Sequence, residues 1–262
     1  MTPVLLIGAG RMGQALLAGW SRAKAFPFTD LMIRMPRPNA ACEAAAAAGA
    51  EINPPDSEIA RARTVVLCVK PQKWREVAPD YVEALAPDAA MVSVLVGVRA
   101  ADISAGFGGR KVARVLPTTA VASASGVTTL YAPEPYPAAA ARALFEPVST
   151  VVEVTDEAQM DAAGAVSASA AAYVYAFTRA LEEAGEAAGL PAHAAKALAR
   201  ATVPSAAAFM ADSGAEPADL IAQVASPGGT TQAALAVLDP ALRAAMTEAV
   251  AAAVRRAQEL AG

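Results

Sequence analysis

The chain has 262 residues, 55% of them hydrophobic, and a formal net charge of −4 at pH 7; its mean hydropathy is +0.37. Alanine supplies most of that apolar excess, and no stretch of about 18 residues is both uncharged and rich in large apolar side chains, which argues against a membrane span. Scattered basic residues argue against a nucleic-acid surface, the single histidine, His193, excludes a multi-histidine metal site, and Cys42 and Cys68 read as reduced core residues.

No basic region precedes an apolar segment at the N-terminus, so a signal peptide is not expected and the cytoplasm is the expected compartment. The first predicted element is the strand Val4-Leu5-Leu6-Ile7. Gly8, Gly10 and Gly13 follow at the spacing of a dinucleotide fingerprint. Gly8 permits the tight turn, Gly10 lets the main chain approach a pyrophosphate, and Gly13 lets the next helix pack on the strand. That helix (Met12, Leu16, Leu17, Trp20) offers unpaired N–H groups to the phosphates. A glycine turn serving packing alone is the alternative.

Leu31-Met32-Ile33 reads as the second strand. An NAD site wants a carboxylate at its end, and this chain has Arg34 and Arg37 there instead. A guanidinium forks onto a 2′-phosphate, so NADP(H) is expected over NAD(H). Two solvated loop charges are the bland alternative. An alanine helix over Ala40–Ala48 ends at Gly49, and the strand Thr64–Val69 is closed by Lys70-Pro71. A helix over Gln72–Leu85 follows, then strands near Met91–Val96 and Lys111–Val115, with further strand signals at Val127–Tyr131 and Val148–Val154. This alternation predicts an α/β class, with a Rossmann-type dinucleotide-binding domain over residues 1–154.

From Thr155 the strand signals vanish. Alanine-rich helical segments run on, punctuated by Gly189-Leu190-Pro191, Ser213-Gly214, Ser226-Pro227-Gly228-Gly229 and Asp239-Pro240. They predict an all-helical substrate-binding and dimerisation domain over 155–262. So small a domain cannot bury so many apolar faces alone, which points to an intertwined homodimer; alanine inflated by genome composition is the alternative. Within this region Pro227 sets a turn, Gly228 and Gly229 expose main-chain N–H groups, and Thr230 and Thr231 add hydroxyls where the helix Gln232–Leu238 starts. Such a cup suits a carboxylate, or is ordinary helix capping.

The combination resembles the pyrroline-5-carboxylate reductase family over nearly the full length. The matching pieces are Gly8-Ala9-Gly10-Arg11-Met12-Gly13, Val69-Lys70-Pro71-Gln72, Arg114-Val115-Leu116-Pro117-Thr118-Thr119, Asp156-Glu157, Gly189-Leu190-Pro191 and Ser226-Pro227-Gly228-Gly229-Thr230-Thr231. The last is the most specific. The resemblance implies that Gly8, Ala9, Gly10, Arg11, Met12 and Gly13 line the pyrophosphate. It implies that Val69, Lys70 and Pro71 pass the nicotinamide, and that the main chain at Ser226, Gly228, Gly229, Thr230 and Thr231 holds the substrate carboxylate. The Thr231 hydroxyl would lie near the ring nitrogen, as the catalytic position. It further implies NAD(P)H-dependent reduction of the C=N bond of 1-pyrroline-5-carboxylate to L-proline, and dimers gathered in fives into decamers.

Departures from the family pattern cluster. Pro117-Thr118-Thr119-Ala120 stands for P-N-T-P, and Ser167-Ala168-Ser169-Ala170-Ala171-Ala172-Tyr173 for S-G-S-G-P-A-Y. Pro204 falls inside an expected helix, where it should kink or interrupt it. Tyr173, Tyr175 and Phe177 read as the packed faces of one helix, and His193 as exposed. These changes leave open a paralogue acting on another cyclic imine, or a non-catalytic NADP(H)-binding sensor. A β-hydroxyacid dehydrogenase would need a catalytic lysine, for which Lys196 lacks the context. Hydride addition to an imine needs placement more than a side-chain base, which fits a chain without an evident His-Asp pair.

Overall fold

A computed structural model describes residues 1–261 of the chain. By compactness it divides into two units: Met1–Ala168 together with the chain from Ala253 onward, and Ser169–Ala252.

The first unit is built on an eight-stranded sheet: β1 Val4–Ile7, β2 Leu31–Arg34, β3 Glu51–Ile52, β4 Thr64–Leu67, β5 Ala90–Ser93, β6 Val112–Pro117, β7 Gly126–Tyr131 and β8 Ser149–Glu153. Their order is β3-β2-β1-β4-β5-β6-β7-β8. β1 to β6 pair in parallel, β7 is antiparallel to β6, and β8 is parallel to β7. β1 and β4 are buried along their whole length, which is why their sequences are unbroken apolar runs rather than alternations. The order reverses at β1/β4, where open α/β sheets put ligands beyond the carboxyl ends of the strands.

The helices of this unit are α1 Arg11–Ala23, α2 Ala40–Ala47, α3 Asp56–Ile59, α4 Trp74–Val77, α5 Pro79–Val82, α6 Ala100–Gly106, α7 Pro135–Phe145 and α8 Met160–Val166. Two cores flank the sheet. One joins Leu16, Trp20 and Phe145 to Leu6 and Ile33; the other joins Trp74, Ile103 and Phe107 to Leu5 and Leu67. Trp20 is fully buried and donates Nε1–H to the Leu144 carbonyl at 2.8 Å, fixing α1 to the end of α7. The sheet ends at Glu153, yet the chain to Ala168 packs within the same unit, with Met160 and Ala165 buried.

The second unit contains α9 Ala170–Ala187, α10 Ala192–Ser213, α11 Pro217–Val224 and the first part of α12 Thr230–Ala261, whose last turns from Ala253 cluster with the first unit. α9 and α10 meet so closely that a Cβ on Gly185 would stand 3.2 Å from that of Ala195, and Arg200 reaches Glu182 at 2.6 Å. In α9, α10 and α11 only Ala195 and Ala199 are buried.

Four sequence expectations are corrected. The helix over Gln72–Leu85 is instead a 3-10 turn at Pro71–Lys73 followed by the short α4 and α5, because Pro79 starts a new segment without an N–H to donate. Pro204 does not interrupt α10, and Asp239-Pro240 does not end a helix at Leu238: α12 runs through it. Both prolines are exposed, so the carbonyl that each leaves without a partner can turn to water. Finally, Tyr175 and Phe177 are 69% and 40% exposed rather than packed.

Candidate functional site

The glycine turn after β1 is shaped by three different contacts. Gly8 has φ +92° and donates its N–H to the Arg34 carbonyl at 2.8 Å, joining the turn to the end of β2. A Cβ on Gly8 would lie 2.6 Å from the Cys68 carbonyl oxygen and 3.0 Å from a methyl of Val69. Gly8 and Val69 are therefore neighbours. A Cβ on Gly13 would lie 2.7 Å from the Gly8 carbonyl oxygen, so Gly13 sets the approach of helix to strand. Gly10 differs: it is exposed, and nothing stands within 4 Å of where its Cβ would be.

Gly10 is also the N-cap of α1, with no side chain capping it and no acidic residue in the first turn. The orphan N–H groups of that turn, the positive end of the helix dipole and the free space above Gly10 together fit a pyrophosphate. Ala9 is buried, Met12 half-buried and Arg11 exposed at the mouth of the turn. Asn39, which the sequence reading passed over, secures this loop. Its Oδ1 accepts from the N–H groups of Ala41 and Cys42 at the start of α2, while its Nδ2 donates to the Ala9 carbonyl at 2.8 Å. An asparagine before an alanine run is an N-cap signal in the sequence; its second bond was not legible there.

At the end of β2 the two arginines part company. Arg34 is not the open fork that the sequence suggests, because its Nη2 pairs with Asp56 Oδ1 at 2.7 Å and its Nε is buried without an acceptor. Arg37 is exposed and makes no ion pair among the described residues. Asn53 holds the same loop, accepting from Met35 N–H at 2.9 Å.

Val69, Lys70 and Pro71 leave the end of β4 beside the glycine turn. Lys70 is exposed, and its carbonyl accepts from the Lys73 N–H at 2.8 Å, closing the 3-10 turn. Just before them, burial pushes the Cys68 thiol up to about 12, which leaves it protonated and inert. After β6, Thr118 is buried; its N–H donates to the Val127 carbonyl at 2.9 Å and its hydroxyl accepts the Val127 N–H at 3.0 Å. The residue that stands where the family pattern has asparagine is thus bound to β7.

In the second unit, Ser226–Gly229 form a turn ahead of α12. Gly228 has φ +72°. Contrary to the reading that both glycines expose free N–H groups, Gly228 donates to Gln232 Oε1 at 2.7 Å and Gly229 to the Ser226 carbonyl at 2.9 Å. The amides of Thr230 and Thr231, in the first turn of α12, have no acceptor among the described residues. The cup therefore offers two threonine amides and their hydroxyls to an anion. Thr231 is half-buried, Ser226 and Thr230 exposed. His193 and Lys196 are both exposed, as expected for His193.

Comparison with known proteins follows the same division. Residues 157–260 match the family model described as pyrroline-5-carboxylate reductase dimerisation, and residues 3–97 the one described as NADP oxidoreductase, coenzyme F420-dependent. A pyrroline-5-carboxylate reductase of Synechocystis sp. is 35% identical over 97% of both chains. One from Pseudomonas aeruginosa is 34% identical, covering 98% of this chain and 96% of that one. Among solved structures, a pyrroline-5-carboxylate reductase from Coxiella burnetii superposes with a TM-score of 0.91 at 28% identity, over 100% of this chain and 99% of that one.

Proposed function

The chain belongs to the pyrroline-5-carboxylate reductase family, as an NAD(P)H-dependent oxidoreductase acting on C=N bonds, and from that premise we propose how its own residues share the work. The reaction is reduction of the C=N bond of 1-pyrroline-5-carboxylate to L-proline. Reduced nicotinamide supplies the hydride when bound.

Gly8, Ala9, Gly10, Arg11, Met12 and Gly13 receive the pyrophosphate. The observation that carries this is the empty space over Gly10 at an uncapped helix start. Val69, Lys70 and Pro71 border the nicotinamide end, a reading supported by the contact of Val69 with the glycine turn. NADP(H) is preferred over NAD(H): near the end of β2 Arg37 is exposed and makes no ion pair among the described residues, while the one carboxylate brought there, Asp56, is engaged by Arg34. Arg34 contributes with half its fork, the rest being held by Asp56.

The main chain of Ser226, Gly228, Gly229, Thr230 and Thr231 forms the cup for the substrate carboxylate. The free amides of Thr230 and Thr231 bind it, and the two glycine amides, tied inside the turn, hold the shape. The Thr231 hydroxyl orients the ring nitrogen, which takes its proton from solvent. Catalysis then rests on placement, the factor that raises effective concentration most without an acid–base pair. Two chains associate through the apolar faces of the second unit, and five such dimers form a decamer. The cytoplasm is the proposed compartment; no described helix is long and apolar enough to cross a membrane.

Mixing the purified protein with NADPH and 1-pyrroline-5-carboxylate, and following the absorbance of the reduced cofactor, tests the reading directly. Loss of absorbance coupled to proline formation is expected. Cofactor binding without turnover, on this and several other cyclic imines, would overturn it.

A further inference from the structure

Asn39, half-buried at the N-cap of α2, has both ends of its side-chain amide engaged. Oδ1 accepts the Ala41 N–H at 3.0 Å and the Cys42 N–H at 3.2 Å, which settles which end of the amide is oxygen. Nδ2 is thereby turned toward the glycine turn, where it donates to the Ala9 carbonyl at 2.8 Å and lies 4.0 Å from Met35 Sδ. One side chain thus ties the start of α2 to a peptide 30 residues earlier in the chain.

That peptide, Ala9–Gly10, is planar and trans, so its C=O and its N–H point in opposite directions. With the oxygen drawn to Asn39, the Gly10 N–H is turned away from α2. It has no acceptor among the described residues, and Gly10 itself is exposed with open space beside it. The Gly10 carbonyl, in contrast, is committed: it accepts the Gln14 N–H at 2.9 Å as the first turn of α1 closes. Were the Ala9–Gly10 peptide to flip, a carbonyl oxygen instead of an N–H would meet an anion at this helix start. A peptide already held in the binding orientation spares the ligand the cost of ordering it.

We propose that Asn39 is a positioning residue for the dinucleotide pyrophosphate, acting through the Ala9 carbonyl to aim the Gly10 N–H at the phosphates. This role rests on the assignment of the glycine turn to the pyrophosphate. It adds a residue from outside the fingerprint, and one that differs in kind from Arg34 and Arg37. The pyrophosphate is common to NADPH and NADH, so Asn39 governs affinity for both and not the choice between them.

Fluorescence titration of NADPH and of NADH with the full chain and two variants tests it. Asn39→Ser keeps an oxygen for the α2 cap and loses the donor to Ala9, whereas Asn39→Ala loses both. Both variants should bind each dinucleotide about five- to tenfold more weakly than the parent, by the same factor for NADPH and NADH. Their kcat at saturating cofactor should stay that of the parent. Asn39→Ala should melt below Asn39→Ser, because it alone lacks the cap, yet bind no more weakly. Binding by Asn39→Ser within about twofold of a parent that binds, a loss confined to NADPH, or a loss seen in Asn39→Ala and restored by Asn39→Ser would each overturn the role of Asn39 and leave the cofactor assignment standing. A parent that binds neither dinucleotide would overturn both.

Discussion

Arg34, the last residue of β2, gives its Nη2 to Asp56 at the start of α3, 2.7 Å away. The pair stands where a cofactor's ribose would be read, and it sets a carboxylate against an arginine that the sequence offers for a 2′-phosphate. Asp56 is 69% exposed in its side chain, so the pair is worth less than about 1 kcal/mol. Asp56→Asn removes the negative charge and releases the guanidinium. The ratio of kcat/KM for NADPH to that for NADH should rise about two- to fivefold. The double variant Arg34→Asp, Arg37→Ala should move the ratio the other way, by tenfold or more if about 1.4 kcal/mol of phosphate recognition is lost. An unchanged ratio in both variants would mean that neither arginine meets the 2′ position.

Gly8 and Gly10 make opposite predictions from the same motif. Alanine at position 8 would need φ +92° and would press its Cβ to 2.6 Å from the Cys68 carbonyl, so Gly8→Ala should cost about 2–4 kcal/mol of stability. Alanine at position 10 meets nothing in the protein. Gly10→Ala should keep its thermal midpoint within about 2 °C while weakening cofactor binding roughly tenfold or more, because the methyl group takes the space above the helix start. Thermal denaturation with and without NADPH separates the two cases.

That contrast shows what the sequence carries. The strands β1, β2 and β4 are legible because they are buried on both faces and read as apolar runs. The two-residue β3, Glu51–Ile52, is half-exposed and has no run to reveal it. α7 opens on Pro135 and contains Pro137, so its local chemistry reads as a loop although Leu144 and Phe145 fix it in the core. Helices α10 and α12 absorb Pro204 and Pro240, whose breaking tendency the surrounding helix overrides. At the site, residue identity was readable and partnership was not. The fingerprint gave the glycines, and S-P-G-G-T-T marked the family that the relatives bear out. Asp56 on Arg34, Asn39 on Ala9 and Gln232 on Gly228 are contacts that spacing does not announce.

Cys68 supplies a pH prediction. Its thiol is held protonated to about pH 12 by burial, whereas an exposed thiol titrates near 9.0. Between those values the unfolded chain binds fewer protons than the folded one, so stability falls as pH rises from about 9 to 12. The contribution of this one group reaches at most about 4 kcal/mol, and it has no effect below pH 9. Cys68→Ala should flatten that part of the stability curve measured by urea denaturation. In the native protein at pH 8, Cys68 should resist a thiol reagent and become reactive only on unfolding.

Thr231 tests the substrate cup. Thr231→Ala removes the hydroxyl and leaves the amide, so carboxylate binding should persist while orientation suffers. A loss of one to two decades in kcat/KM is expected, equivalent to roughly 1.5–3 kcal/mol, with the thermal midpoint unchanged. Thr231→Ser keeps a hydroxyl and should recover most of the loss. Activity of Thr231→Ala within threefold of the parent would take the hydroxyl out of the reaction.

The second unit states the case for association. Tyr175, Phe209 and Val237, on three different helices, are 69%, 59% and 75% exposed, while burial within α9, α10 and α11 is confined to Ala195 and Ala199. Large apolar side chains left in water on a unit with so small a core are a surface awaiting a partner. The dimerisation family model covers this same region, 157–260. Because an isologous contact repeats each residue about a two-fold axis, a single charge is introduced twice and is felt strongly. Val237→Asp with Phe209→Glu should therefore convert the protein to a monomer in sedimentation velocity at micromolar concentration. A parent chain that sediments as a monomer, or a double variant that remains associated, would remove this surface from the interface.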